Sequence, residues 1–133
     1  MIRRGVLLGG ILAGAFTAAS ALSLAAQRED AQIAQGKYLV TRVAMCVNCH
    51  RPDLRGGPIE LKPLKPVKDW AKKAPALAGL KGMSVPGAVK FLTTAIGADG
   101  KPADAPMPRF RLKAADAEAV VAYLKSLKPP KSS

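Results

Sequence analysis

The sequence predicts a small all-α domain behind an apolar leader. Three stretches, near residues 29–43, 84–96 and 116–128, repeat apolar residues at helical spacing, and no stretch has the pattern of a parallel sheet. The connecting segments are rich in proline and glycine, as turns and extended segments are. A chain of 133 residues has room for one small core. We therefore expect three to four helices joined by long loops.

The first 25 residues predict an export signal. Arg3 and Arg4 precede the uncharged residues 6–26, which are rich in small and apolar side chains. Such an arrangement is typical of a signal peptide, with cleavage predicted after Ala25 and the domain spanning 26–133. The alternative is an uncleaved membrane anchor, because the apolar stretch is just long enough to span a bilayer. The domain is exported in both cases, which indicates a periplasmic location.

The two cysteines and the one histidine of the chain all lie in the five-residue stretch Cys46-Val47-Asn48-Cys49-His50. C-x-x-C-H is the attachment signature of c-type haem. Each cysteine sulfur can form a thioether to a haem vinyl group, and the adjacent histidine can bind the iron. We predict one covalently bound haem c held by Cys46 and Cys49, with His50 as an axial iron ligand.

Three other interpretations of this motif are weaker. A thioredoxin-like redox pair would sit in a βαβ unit, and the sequence does not predict one. A structural zinc site needs about four ligands, and the chain has no second cluster. A disulfide between the two cysteines would not explain why the histidine directly follows the second one.

Met107 is the leading candidate for the second axial ligand. A thioether is a soft ligand that suits low-spin haem iron, and Pro106 and Pro108 stiffen the backbone on both sides. Met83 also lies in a loop before a helix and stays open as an alternative. An iron without a methionine ligand stays open too.

Two stretches resemble class I c-type cytochromes, particularly the small bacterial periplasmic domains that serve dehydrogenases. Gly36-Lys37-Tyr38-Leu39-Val40 runs into the haem motif, and Pro106-Met107-Pro108-Arg109-Phe110 precedes the last helix. The resemblance covers about residues 30–128. It implies the cytochrome c fold around a covalent haem, with His50 and Met107 on the iron.

The resemblance also implies that the first and last helices cross. Gly36 and Tyr38 are the candidates on the first helix, and Tyr123 is the candidate on the last. The irregular middle of the chain would cover the haem. In that segment a carbonyl of Gly57 or Pro58 is our candidate acceptor for the second nitrogen of the ligand histidine.

Local patterns predict further details of the helices. The acids Glu29 and Asp30 mark the start of the first helix, Ser84 caps the second and Gly97 ends it. The side chain of Trp70 either packs or donates its indole N–H to a haem propionate. Three core-facing rows are expected: Ile33, Gly36, Leu39, Val40 and Val43; Val85, Val89, Leu92 and Ile96; and Ala117, Val120, Val121, Leu124 and Leu127.

The charge of the chain suggests its partners. Without Arg3 and Arg4 there are 19 basic and 9 acidic residues, a net charge of +10. The segment Arg51–Lys81 alone has eight basic and three acidic residues. This favours redox partners with an acidic docking surface, a dehydrogenase and/or a terminal oxidase. Nucleic acid is not expected, because no nucleic-acid-binding signature is present.

The expected function is single-electron transfer in the periplasm by a carrier that is not itself an enzyme. No nucleophile–base pair, second histidine or carboxylate cluster indicates substrate chemistry. The alternative is a haem-based gas sensor or a peroxidase-like protein. Either would need an open sixth position on the iron.

Overall fold

The computed structural model describes residues 13–130, and the chain divides into two compact units, Met1–Ala31 and Gln32–Ser133. Arg3, Arg4 and the first half of the leader lie outside the described residues. The helices are α1 (Ala13–Tyr38), α2 (Val47–His50), α3 (Val85–Thr94) and α4 (Ala114–Ser126), and two short strands are β1 (Gly57–Pro58) and β2 (Lys73–Ala74). The predicted all-α class is therefore confirmed, with one minimal hairpin added.

Within residues 13–130, no helix has both the length and the apolar character needed to cross a membrane. The predicted boundary between leader and domain after Ala25 stays a prediction.

The first helix differs from its prediction at both ends. Helix α1 runs without a break through Glu29 and Asp30, so these acids do not mark a helix start. At its other end, Leu39–Val43 form a π-helical turn in which the Ala44 N–H donates to the Leu39 carbonyl at 2.8 Å. A π turn holds more residues than an α turn, which shifts the following side chains around the axis. Leu39 and Val40 are buried, but Val43 is 56% exposed, so its predicted core position is wrong.

Helices α1 and α4 cross at Gly36, as the resemblance implied. A Cβ atom on Gly36 would overlap the Ala119 carbonyl oxygen and lie 2.8 Å from the Tyr123 Cβ. Only glycine allows the two backbones to approach this closely. Tyr38 is 56% exposed, so its ring contributes little buried surface at the crossing.

Helix α4 supplies more buried core residues than any other element of the described chain. Its predicted inward row is confirmed at Ala117, Val120, Val121 and Leu124, all 5% exposed or less. Val120 and Leu124, together with Ala119, form one cluster with Leu39 and Val40 from the π turn and with the buried Leu54 and Ala78. Lys113 stands at the N-cap of α4 and provides no side-chain hydrogen bond to it.

Helix α3 begins where the sequence indicated but ends earlier. The Ser84 hydroxyl accepts a hydrogen bond from the Gly87 N–H at 3.2 Å. The helix ends at Thr94, because Ala95 adopts the left-handed conformation (φ 59°), so the predicted stop at Gly97 is wrong. Ala88 and Ala95 are the buried residues here, whereas Val85 is 40% exposed.

The strands β1 and β2 pair with each other and so join the two ends of the loop between them. Gly57 pairs with Ala74, and the Ile59 N–H donates to the Lys72 carbonyl at 3.0 Å. The Trp70 indole N–H donates to the Leu61 carbonyl at 3.1 Å. This tryptophan therefore has an acceptor within the protein, and a bond to a haem propionate is not supported.

Candidate haem site

The C-x-x-C-H motif forms its own short helix. Helix α2 spans Val47–His50, and the residues on either side of the motif, Met45 (φ 50°) and Arg51 (φ 70°), are both in positive-φ conformations. The Cys46 N–H donates to the Val40 carbonyl at 3.0 Å, and the His50 N–H donates to the Cys46 carbonyl at 2.9 Å. These bonds tie the motif to the π turn and hold both cysteines and the histidine at the wall of one cavity.

This cavity has the size and lining that a haem requires. Its volume is about 640 Å³. Apolar side chains form most of the wall, among them Phe91 and Leu92 of α3 and Val120 and Leu124 of α4. The two thiols and the imidazole lie at the same wall, which fits a covalently attached macrocycle better than any small ligand.

The imidazole of His50 is buried and oriented by the backbone. The ring is 4% exposed, and its Nδ1 lies 2.8 Å from the Pro75 carbonyl oxygen. A carbonyl only accepts, so Nδ1 carries the proton and Nε2 keeps the lone pair that an iron ligand needs. Pro75, and not Gly57 or Pro58, is thus the acceptor. Gly57 contributes indirectly, because it pairs with Ala74 next to that carbonyl.

Gly56 links the histidine to its acceptor. Its N–H donates to the His50 carbonyl at 3.0 Å. A Cβ on Gly56 would lie 2.5 Å from the Ala74 oxygen and 2.6 Å from the Pro75 carbonyl carbon, and its φ is +73°. The sequence did not single out Gly56, because one glycine in a segment rich in proline and glycine carries no local signal of this contact.

Leu54 is a second residue that the sequence did not reveal. Its side chain is 1% exposed, and its carbonyl accepts hydrogen bonds from the Leu77 and Ala78 N–H groups at 2.8 and 3.0 Å. These bonds hold the segment that follows Pro75. No local pattern indicates this role, because Leu54 lies in an irregular stretch between charged residues.

The cysteines are free thiols in the structure. Burial raises the pKa of the Cys46 thiol, and the neighbouring Cys49 adds to this effect against an opposing hydrogen bond. Among residues 13–130, no group of three or more His, Cys, Asp or Glu side chains is arranged so that it could hold a metal ion.

Both candidate methionine ligands lie at the cavity wall. Met107 is half-buried, and its N–H donates to the Asp104 carbonyl at 3.1 Å. Met83 also lines the cavity, but its side chain packs on the first turn of α3. Its Cγ and Sδ lie 3.3 and 4.0 Å from where a Cβ on Gly87 would stand.

Comparison with known proteins agrees with this site. A sequence model of the family described as Cytochrome c matches residues 33–128, well over half of the chain. The matched region includes the motif, the cavity and both candidate methionines. Searches of curated proteins and of solved structures returned no significant match.

Proposed function

The chain belongs to the cytochrome c family, and we propose that it is a mono-haem electron carrier of the bacterial periplasm with His50 and Met107 as axial iron ligands. A covalent haem c and haem-based electron transfer follow from membership of the family. Haem supplies the redox chemistry, since its iron takes up one electron and releases it again. The protein's own residues attach, orient and shield that iron.

The hydrogen bond from His50 to Pro75 is the observation that carries the ligand assignment. It selects the tautomer with a free Nε2, prevents the ring from rotating and raises the basicity of the ligand nitrogen. A buried ring held in one orientation changes little between the two oxidation states of the iron. Small reorganisation of this kind suits electron transfer.

Two observations favour Met107 over Met83 as the sixth ligand. The loop of Met107 is joined to the middle segment by the bridge between Trp70 and Ala105, so its backbone is held near the cavity. The Met83 side chain already has a packing partner at Gly87. A methionine ligand would also raise the reduction potential of the haem.

The charge of the domain supports docking of acidic redox partners. At the cavity itself Lys73 and Lys101 are balanced by Asp99 and Asp104. Without Lys73, the segment Arg51–Lys81 has seven basic and three acidic residues, an excess of four positive charges. This excess supplies the steering field, which would raise the association rate with an acidic dehydrogenase or oxidase at low salt.

A periplasmic location rests on the leader. Arg3 and Arg4 before an uncharged stretch would direct the chain across the inner membrane, whether residues 6–26 are cleaved or retained as an anchor. Attachment of haem to the two cysteines would then follow export.

Optical spectroscopy of the haem-loaded protein tests the proposed ligands. The oxidised wild type should show a weak sulfur-to-iron band in the far red, and the reduced protein should not bind carbon monoxide. Met107→Ala should lose the band and bind carbon monoxide, whereas the control Met83→Ala should behave as wild type. Ready binding of carbon monoxide by the wild type would contradict the carrier and favour a gas sensor or peroxidase-like protein.

A further inference from the structure

The tip of the loop between β1 and β2 contains a tripeptide repeat that electron transfer does not explain. Residues 61–69 read Leu-Lys-Pro, Leu-Lys-Pro, Val-Lys-Asp. Leu61, Leu64 and Val67 are 56%, 105% and 45% exposed. None of the three lines the cavity, so a bound haem would not cover them.

The repeat places a lysine directly after each exposed aliphatic side chain. Lys62, Lys65 and Lys68 are all exposed, and Asp69 is the only acid of the tip. Neighbouring apolar and cationic side chains suit a surface that is both apolar and anionic. Lysine stems can lie along apolar material while their ammonium groups stay at a polar boundary.

The composition of the tip favours a lipid surface over a protein surface. Protein interfaces concentrate their binding energy in Trp, Tyr and Arg, and lysine is depleted from their centres. Residues 61–69 contain none of those three residue types. The single Trp70 stands at the base of the tip, with its indole N–H on the Leu61 carbonyl. Tryptophan at such a position is typical of the boundary between lipid and water.

The base of the tip is held firmly enough to present it. The Ile59 N–H bonds to the Lys72 carbonyl, the Ala71 N–H bonds to the Ala105 carbonyl at 2.6 Å, and β1 pairs with β2. The segment between these bonds is irregular, with most of its residues exposed. A short protruding segment on a fixed base can insert side chains without unfolding the domain.

We propose that the tip, residues 61–69, docks on the surface of an anionic phospholipid membrane. Leu61, Leu64 and Val67 enter the boundary between headgroups and acyl chains, and the three lysines contact lipid phosphates. This contact is separate from the leader, and it would keep the haem domain close to the membrane even after cleavage of residues 1–25.

The test uses the full haem-loaded chain and a reporter confined to the tip. Haem attachment occupies both native thiols, so Asp69→Cys provides one site for an environment-sensitive fluorophore. The vesicles contain phosphatidylglycerol and phosphatidylcholine in equal parts, or phosphatidylcholine alone. We expect a blue shift of the emission on the anionic vesicles only, and none from a label at Glu118→Cys on the exposed side of α4.

Two sets of variants in the labelled protein separate the apolar from the ionic contribution. Leu61→Ser/Leu64→Ser/Val67→Ser should abolish the shift, whereas Val43→Ser/Val85→Ser, which alters exposed valines elsewhere, should keep it. Lys62→Gln/Lys65→Gln/Lys68→Gln should weaken the tip contact about five-fold per lysine. Lys90→Gln/Lys113→Gln/Lys125→Gln makes the same change in net charge and should weaken it far less.

Unchanged haem absorption shows that each variant is folded, and vesicle flotation shows whether the chain is bound. Bound protein without an emission shift at residue 69 would mean that only the leader contacts lipid, which overturns the proposal. Absence of vesicle binding would overturn it as well and leave the tip to an acidic protein partner. An equal shift from the labels at residues 69 and 118 would also contradict a specific tip contact.

Discussion

The two sides of the cavity differ in how the backbone holds them. On the histidine side, Nδ1 of the 4%-exposed His50 bonds to Pro75, and Gly56 bonds back to the His50 carbonyl. On the other side, half-buried Met107 has one local backbone bond, to Asp104. A bond from a distant segment reaches the His50 ring itself, whereas the long-range bond of the methionine loop, from the Ala71 N–H to the Ala105 carbonyl, lies two residues before Met107. We expect the loop that contains Met107 to unfold before the segment that holds His50 when the protein is destabilised.

Gly56→Ala should cause the largest effect, because it disturbs the backbone that orients His50. The new Cβ would press on the Ala74–Pro75 backbone and would require an unfavourable positive φ. We expect a loss of about 3 kcal/mol in the free energy of unfolding, together with a shifted reduction potential. Chemical denaturation and potentiometry of the holoprotein measure the two quantities.

Gly100→Ala is the matched control for that change. Gly100 also has a positive φ (+77°), but no atom lies within 4 Å of the position that an added Cβ would take. Only the conformational cost of about 1 kcal/mol should appear, without a change in potential. Equal effects of the two substitutions would show that the contact with Pro75 is unimportant.

Sequence reasoning succeeded where a residue type or a local pattern carries the chemistry. It predicted the cap at Ser84 and the inward positions Ala117, Val120, Val121 and Leu124 of α4. It also singled out Cys46, Cys49 and His50, which all line the cavity. It failed where the outcome depends on contacts between distant segments. The acceptor for His50 is Pro75, which only the pairing of β1 with β2 brings into place.

The end of the first helix also differs from what the sequence pattern predicts. The position of Val43 followed from a regular 3.6-residue period, but the π turn at Leu39–Val43 breaks that period. Nothing in the apolar spacing indicates a π turn at this place, where the Cys46 N–H also bonds to the Val40 carbonyl. The role of Met107 as an axial iron ligand remains a prediction.

A denaturant titration would reveal the weaker side of the cavity directly. The far-red band of the oxidised holoprotein should disappear at a lower guanidinium concentration than the helical circular dichroism. We expect the two free energies to differ by about 2 kcal/mol, as for a local opening. Coincident transitions would mean that the Met107 loop has the same free energy of unfolding as the rest of the domain.

Removal of the α3 cap should have a smaller effect. Ser84→Ala deletes the acceptor for the Gly87 N–H and should lower the free energy of unfolding by about 1 kcal/mol. Ser126→Ala, which removes an exposed hydroxyl at the end of α4, should cost less. Thermal unfolding compares the two variants, and an equal loss would argue against the cap.

The smallest expected change is a gain in stability. Lys113 stands at the N-cap of α4 with extended backbone (ψ 151°) and offers no acceptor. Lys113→Asp supplies a carboxylate to the free N–H groups and should stabilise the fold by about 0.5–1 kcal/mol. Lys113→Ala is the control, since it removes the lysine without adding an acceptor.

Methyl NMR of the reduced holoprotein tests most directly whether Met107 is the second axial ligand beside His50. With methyl-labelled methionine, the ring current of the haem should shift one methyl signal far from the others. We predict that this signal is absent in Met107→Leu and retained in Met83→Leu. A shifted signal that survives in Met107→Leu, or its absence from the wild type, would contradict Met107 as the axial ligand.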